Sequence, residues 1–376
     1  MIYLTFLIIP IIICFAAWFF TDKITWKEVA TQMGIQLVLI GIISFLILQS
    51  NMSDREAWNG FITKKDSAKI HCRHDYKCHC YTTCHQSCSG SGKSRSCHQS
   101  CTEHCQTCYE HGFDVEWFAK NNIGESWDID TVDRQGLREP PRWSAIVVGE
   151  PTSSLHSYEN YIKGSPDSLF HKENFTEEQV NSFPAYPDRV YDYWRLNRFV
   201  TVDIAFPDSK EWNSEIAQLS GVLGSKKQVN IVVVIVKNKP QDYFYSLERF
   251  WVGGKKNDVI LVVGTDDTKS ILWAEVMSLS NEDFKVFLRN DILAINRIDR
   301  SKMLSAIQEN VEKRYIRRPM KDFEYLKDSI KPTKAQWIIG IVLGTLISIG
   351  LSIFFYYQDP FGDETDSRIR RRNHWN

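Results

Sequence analysis

Residues 71–111 read HCRHDYKCHCYTTCHQSCSGSGKSRSCHQSCTEHCQTCYEH and hold nine of the chain's ten cysteines and seven of its ten histidines. A core has a use for cysteine as a small apolar side chain but none for so much histidine, so the mixture points to chemical cross-linking by disulfides, by metal, or by both. Cys80, Cys84 and Cys88 step by four; after the polar turn Ser89–Ser96, Cys97, Cys101 and Cys105 step by four again, and CHQSC occurs at both 84–88 and 97–101. Four-residue steps put side chains on one face of a helix, which predicts two short helices folded about Gly90–Gly92. Ladder bridges such as Cys84 to Cys101 and Cys88 to Cys97 would hold them. The competing reading makes Cys78-His-Cys80, Cys84 and Cys105-x2-Cys108 two knuckles around one tetrahedral zinc. With Cys72 the total is odd, so bridging leaves one thiol free or shared with another subunit. A c-type haem is excluded because Tyr109, not histidine, follows Cys108.

Outward from this module the chain is bounded by apolar runs. Residues 1–20, 33–50 and 335–357 read as transmembrane helices, which predicts a multi-pass membrane protein. In the third, Gly340, Gly344 and Ser348 recur every four residues, a small-residue stripe suited to close helix packing, within the chain or in a homo-oligomer. Three spans put residues 51–334 on a single side. Lys23 and Lys27 in the short loop, with Arg368, Arg370, Arg371 and Arg372 in the basic tail 358–376, place loop and tail in the cytoplasm and the domain in the exoplasmic (periplasmic) space. That compartment is oxidising and favours disulfides over zinc. A formal net charge of −1 and 43% hydrophobic residues exclude a disordered chain and a basic nucleic-acid binder.

Residues 112–330 predict an α/β domain. Phe113–Phe118 and Trp127–Val132 alternate as half-buried strands do, and Ala145–Val148 is a further candidate strand. Val229–Val236 and Val259–Val263 are continuous Val/Ile-rich runs, as parallel strands covered on both faces require. The helix between them presents Tyr243, Leu247 and Phe250 as its inner stripe. Residues 149–195 suggest no chemistry.

Over about residues 200–316 the chain resembles the TPM-domain family. The likeness rests on the helix of Glu211–Leu223, the strand NIVVVIV, the run FWVGGKKNDVILVVGTDD, the strand SILWAEV and two closing helices. It implies a TPM-like α/β core, often membrane-anchored and in some members a divalent-cation site or phosphatase. The matching acidic positions are Asp258, Asp266 and Asp267, which would take calcium or magnesium through oxygen ligands. The family's usual Asn-Gly is here Asn257-Asp258, and Met277-Ser-Leu-Ser280 replaces its later glycine turn. The run CSGSGKSRSCHQSCTEHCQTCYEHGFDVEW and Tyr161–Phe170 also resemble membrane proteins of tailed bacteriophages.

The expectation is therefore a membrane-anchored, non-enzymatic interaction or assembly protein that presents the domain and the cross-linked module to a protein partner. The alternative is a divalent-metal-dependent, phosphatase-like hydrolase. No nucleophile–base pair and no phosphate loop appear in the sequence.

Overall fold

A computed structural model describes residues 2–21, 23–89, 96–171 and 175–361. Three of its helices are long and apolar enough to cross a membrane, Tyr3–Phe20, Trp26–Met52 and Lys334–Gln358. The first opens as a 3-10 turn, Ile2–Leu7, and becomes α1 at Ile8–Phe20. Pro10 thus falls in the first α-turn, where its missing N–H costs little. α2 (Trp26–Met52) starts on a capping box formed by Thr25 and Glu28. The predicted span 33–50 is the apolar part of that helix.

α2 passes at once into β1 (Ser53–Ile70), an 18-residue strand. The sheet predicted to begin at Phe113 begins here instead, sixty residues earlier. β2 (Asp75–Ser89) and β3 (Ser96–Tyr109) then form an antiparallel hairpin, and β4 (Asp114–Asn121) returns along β1 from Ile70↔Asp114 to Ile62↔Asn121. β5 (Ser126–Ile129) adds to β4. After the short helix α3 (Pro141–Ser144), β6 (Pro151–Glu159) pairs with the first half of β1, Ser53↔Glu159 to Phe61↔Pro151. The order β5-β4-β1-β6 makes β1 common to both halves of this sheet. Ala145–Val148, a predicted strand, is turn; β6 lies just beyond it.

Short elements follow: α4 (Tyr161–Gly164), α5 (Glu177–Ser182), β7 (Val190–Tyr191) and β8 (Arg195–Leu196). The second sheet is built from β9 (Phe199–Val202), β10 (Asn230–Lys237), β11 (Asp258–Thr265) and β12 (Ile271–Met277), in the order β12-β11-β10-β9. β9, β10 and β11 run parallel and β12 antiparallel. Successive side chains of the Val/Ile runs point to opposite faces and both faces are covered, which is why the runs have no polar positions. Ile231, Val233 and Ile235 join one core with α6 (Ser209–Lys227), α8 (Glu282–Ala294) and α9 (Arg300–Arg314). Val232, Val234 and Val236 join the other with α7 (Asp242–Phe250). On α7, Leu247 and Phe244 are fully inward while Tyr243 and Phe250 sit at the margin.

α6 joins the two sheets. Its Gly221 meets the ring of Phe61 and its Gly224 meets the backbone of Asn59, both on β1. A 3-10 segment, Met320–Ser329, packs with Met52, Tyr161 and Ile330 at the head of the bundle, and α10 (Lys334–Gln358) completes it. The stripe of Gly340, Gly344 and Ser348 is buried within the chain: Gly340 against Phe6, Gly344 against Pro10, and Ser348 Oγ donating to the Pro10 carbonyl at 3.2 Å. Gln32 on α2 donates to the Ser348 carbonyl at 2.9 Å. The stripe is thus occupied by the chain's own helices, and the basic residues Arg368–Arg372 lie outside the described residues.

A methyl group on Gly224 would stand 2.5 Å from the Asn59 carbonyl oxygen. Glycine to alanine inside a helix ordinarily stabilises by about 1 kcal/mol. Gly224→Ala should instead destabilise by roughly 1–3 kcal/mol, because backbone cannot give way as a side chain does. Thermal unfolding of the two proteins compares them, and an unchanged or raised midpoint would contradict the close approach of α6 to β1.

Candidate functional site

The Cys/His module is a β-hairpin rather than the predicted helical one. Four is an even number, so residues four apart share a face of a strand as well as of a helix, and the spacing alone could not separate the two. The register pairs Cys84 with Cys101 and Cys88 with Cys97, the partners expected of a ladder. Cys84–Cys101 and Cys80–Cys105 are disulfides, each with Cα atoms 4.0 Å apart. The side chains of Cys88 and Cys97, and the Gly90–Gly92 turn, lie outside the described residues.

Below Tyr81 the register slips by one residue, from Tyr81↔His104 to Cys78↔Gln106, with His79 in the left-handed region at φ 46°. This bulge reverses the facing of β2. The third disulfide, Cys78–Cys108, with Cα atoms 5.8 Å apart, therefore closes on the other face. Cys105 and Cys108, read as one half of a zinc site, face opposite ways and enter different bridges. Each bridge contributes roughly 2–4 kcal/mol by restricting the unfolded chain.

Strand parity also accounts for histidines that a disulfide ladder leaves unexplained. Within CHQSC the cysteine faces one way and the next residue the other. Tyr81, His85, His98 and His104 thus share the face opposite the Cys80–Cys105 and Cys84–Cys101 rungs. Tyr81 is 61% exposed and stacks on His104 with ring centroids 5.3 Å apart. Among the described residues, both strands are exposed over nearly their whole length and pack chiefly on each other, with Tyr109 at the foot of β3 against the His71 ring at 4.2 Å.

At the foot of the hairpin the pattern reverses. Cys72, which precedes β2, is 3% exposed and unbridged. Its Sγ lies 3.7 Å from Nδ1 of His111, and the same Nδ1 lies 3.5 Å from Oδ1 of Asp114 at the start of β4. Asp114 accepts a 2.8 Å hydrogen bond from the Arg73 backbone N–H, which holds its carboxyl below the usual carboxylate range. His74 sends its backbone N–H to Cys72 Sγ at 3.4 Å and places its ring Nε2 2.8 Å from the Arg134 carbonyl.

The acidic positions from the TPM likeness do not converge. Asp258 opens β11, whereas Asp266 and Asp267 follow its last residue, about 26 Å away at strand rise. Asp258 is buried. Its carboxylate accepts hydrogen bonds from the Tyr186 hydroxyl at 2.6 Å, the Asn230 amide at 2.9 Å and the Lys255 backbone N–H at 2.7 Å. Burial pushes its pKa up, and the same burial beside Asp258 pushes the Tyr186 phenol up. Asp266 caps its own turn through Thr268 and Ser270, and Asp267 pairs with Lys237. Sequence order placed the pair correctly past a strand end, but the oxygens already hold the turn.

Sequence reasoning missed a polar seam between β1 and the parallel sheet. Asp54 accepts from Lys255 Nζ at 2.7 Å, and Glu56 from Arg317 at 2.6 Å with Lys256 at 3.4 Å. Asn59 donates to the Val229 carbonyl at 2.9 Å and accepts from Arg198 at 2.6 Å. Burial pushes the Asp54 pKa up, but the Lys255 ammonium, the Asn160 amide and the Lys163 ammonium together outweigh it and hold the carboxyl below its ordinary range. Arg198 is buried among neutral acceptors, and the loss of water pulls its pKa down to about 10. A separate cleft of about 810 Å³ beside α6 is lined by Glu150, Tyr191, Arg195, Lys210, Asn213 and Gln218 among others, with Arg195 3.9 Å from Glu150.

No protein-family model, curated protein or solved structure matches the chain.

Two measurements check this site. Peptide mapping of the unreduced protein should alkylate Cys14 and Cys72, and should reach Cys78, Cys80, Cys84, Cys101, Cys105 and Cys108 only after reduction; ready alkylation of those six would overturn the ladder. At the seam, Lys255→Met removes the nearer of two ammonium groups from the buried Asp54 carboxylate, leaving Lys163 at 3.7 Å and the Asn160 amide, and should cost about 1–3 kcal/mol, with Lys255→Met and Asp54→Asn together costing less. Because the folded Asp54 pKa is depressed, its contribution is complete above the ordinary carboxylate range. It is lost as pH falls through the depressed value, so wild type and the double variant should converge in stability in acid.

Proposed function

We propose that this is a membrane-anchored, non-enzymatic interaction protein whose disulfide-laddered hairpin is the arm that engages a protein partner. The observation that carries the reading is that β2 and β3 are exposed, cross-linked by three disulfides and, among the described residues, packed extensively on each other but on no other strand or helix. A two-stranded ribbon is marginal by itself in water. Covalent rungs let it stand free of a core and hold a surface rigid before binding, which lowers the ordering cost of association. Its Tyr81 and His104 face offers aromatic contact area of the kind enriched at interface centres.

The three apolar helices cross the bilayer in this reading, with the α1–α2 loop and the tail in the cytoplasm and residues 53–333 exoplasmic. Disulfides support an oxidising compartment, and Lys23 on the loop with Lys27 in the first turn of α2 support cytoplasmic placement of that end. The α/β domain, read as TPM-like, is the platform on which the arm is mounted. The separation of Asp258 from Asp266 and Asp267 speaks against the hydrolase reading.

Two tests apply. A reporter fused after Asn376 should be cytoplasmic and one inserted at the exposed Gly124 turn exoplasmic, and the reverse would sink the topology. A photo-cross-linking residue at position 81, on the Tyr/His face, should give one discrete protein adduct in the native host, and one at position 86, on the ladder face, should not. No adduct at 81, or equal adducts at both, would remove the assignment of that face.

A further inference from the structure

We infer that Cys72, His111 and Asp114 form a zinc site that fixes the foot of the hairpin. It deepens the proposed function by saying what sets the arm's direction, yet it stands on separate residues. The three ligand atoms, Sγ, Nδ1 and a carboxylate oxygen, all lie within 4.8 Å of one another. Around a tetrahedral ion with Zn–S of about 2.3 Å and Zn–N or Zn–O of about 2.0–2.1 Å, sulfur and nitrogen stand about 3.6 Å apart, and nitrogen and oxygen about 3.4 Å. The distances found are 3.7 Å and 3.5 Å.

A second, independent observation points the same way. Asp114 is 6% exposed, its Oδ2 is satisfied by the Arg73 N–H, and its Oδ1 has no hydrogen-bond partner although buried. A buried carboxylate oxygen without a partner costs free energy unless something positive occupies the space it faces. That oxygen faces Nδ1 of His111 and, beyond it, the thiol.

Two competing uses fail on geometry. In a nucleophilic Cys–His–Asp relay the thiol and the carboxylate sit on opposite ring nitrogens, whereas here both face Nδ1. A fourth rung of the ladder is unavailable to Cys72, because the register opposes Cys88 to Cys97 and the other six module cysteines are bridged. The two other Cys-containing clusters, Cys78–His79–Cys108 and Cys80–Glu103–Cys105, have their sulfurs in disulfides and offer no thiolate. Three protein ligands leave a fourth position for water. His74 is a positioning residue through its ring, which is anchored 2.8 Å from the Arg134 carbonyl and stands 4.0 Å from Asp114.

The full-length protein in detergent, kept unreduced so that the bridges stay closed, is stripped with a chelator and titrated with Co(II), then with Zn(II) in competition. One equivalent per chain should bind, with a sulfur-to-cobalt charge-transfer band that zinc abolishes. Cys72→Ser should abolish the band; His111→Ala and Asp114→Asn should each weaken zinc binding by more than about 100-fold, and His74→Ala by about 10-fold. Cys14→Ser and His104→Ala should leave the titration unchanged. Where a variant misfolds, a zinc K-edge spectrum of the wild type decides, with a single sulfur in the shell expected. Absence of a stoichiometric site in wild type, a shell without sulfur, or a band that survives Cys72→Ser would overturn the assignment. None of those results depends on whether the Tyr81 face binds a partner.

Discussion

The pairing of buried charge across the seam between β1 and the parallel sheet is what the rest of the molecule depends on. Asp54 and Glu56 on one face and Asn59 on the other are buried on a strand that arrives from an apolar helix, and each is met by a cation from a segment far along the chain, Lys255, Arg317 or Arg198. An unpaired charge in that position costs several kcal/mol, so the second domain has one seating on β1 at which every partner is in reach. Asn257, donating to the Ala57 carbonyl at 2.8 Å, fixes the same seating through neutral groups. The glycines of α6 then let backbone meet backbone where side chains would hold the layers apart.

Where burial is apolar the sequence was easy to read. Val232 to Val236 and Val259 to Val263 have no polar member because the sheet is covered on both faces, and the three apolar helices are evident from length and composition. β1 was illegible for the converse reason. Beside Ala57 and Ile62 its buried positions include Asp54, Glu56 and Asn59, and only residues some 140 to 260 positions away reveal that those three are buried. The hairpin failed differently: cysteines at steps of four satisfy the helical period and the strand period alike. The histidine between them, at odd offset, carried the deciding information, because only a strand sends it cleanly to the opposite face.

The acidic positions show the limit of pattern likeness. Asp258 and Asp266 lie only eight residues apart in the sequence, yet an extended strand carries them to opposite ends of β11. Among the described residues, the one convergence of ligand-type atoms that escapes the disulfides is drawn from two segments around the hairpin base, the β1–β2 connection and the turn from β3 into β4. The His111-x2-Asp114 spacing is short, but nothing in the sequence ties it to Cys72.

The passage from α2 into β1 has no loop, and β1 leads through four residues into β2. At about 1.5 Å per helical and about 3.3 Å per strand residue, the contour from Trp26 to Ser89 comprises a helix of about 40 Å and strands of about 60 Å and 50 Å. A flexible tether would absorb any tilt or rotation of the helix; a paired strand continuous with it does not. A change in the angle at which α2 lies is therefore passed straight into β1, and through it into the sheet that carries β4 and β6, with no loop between to take it up.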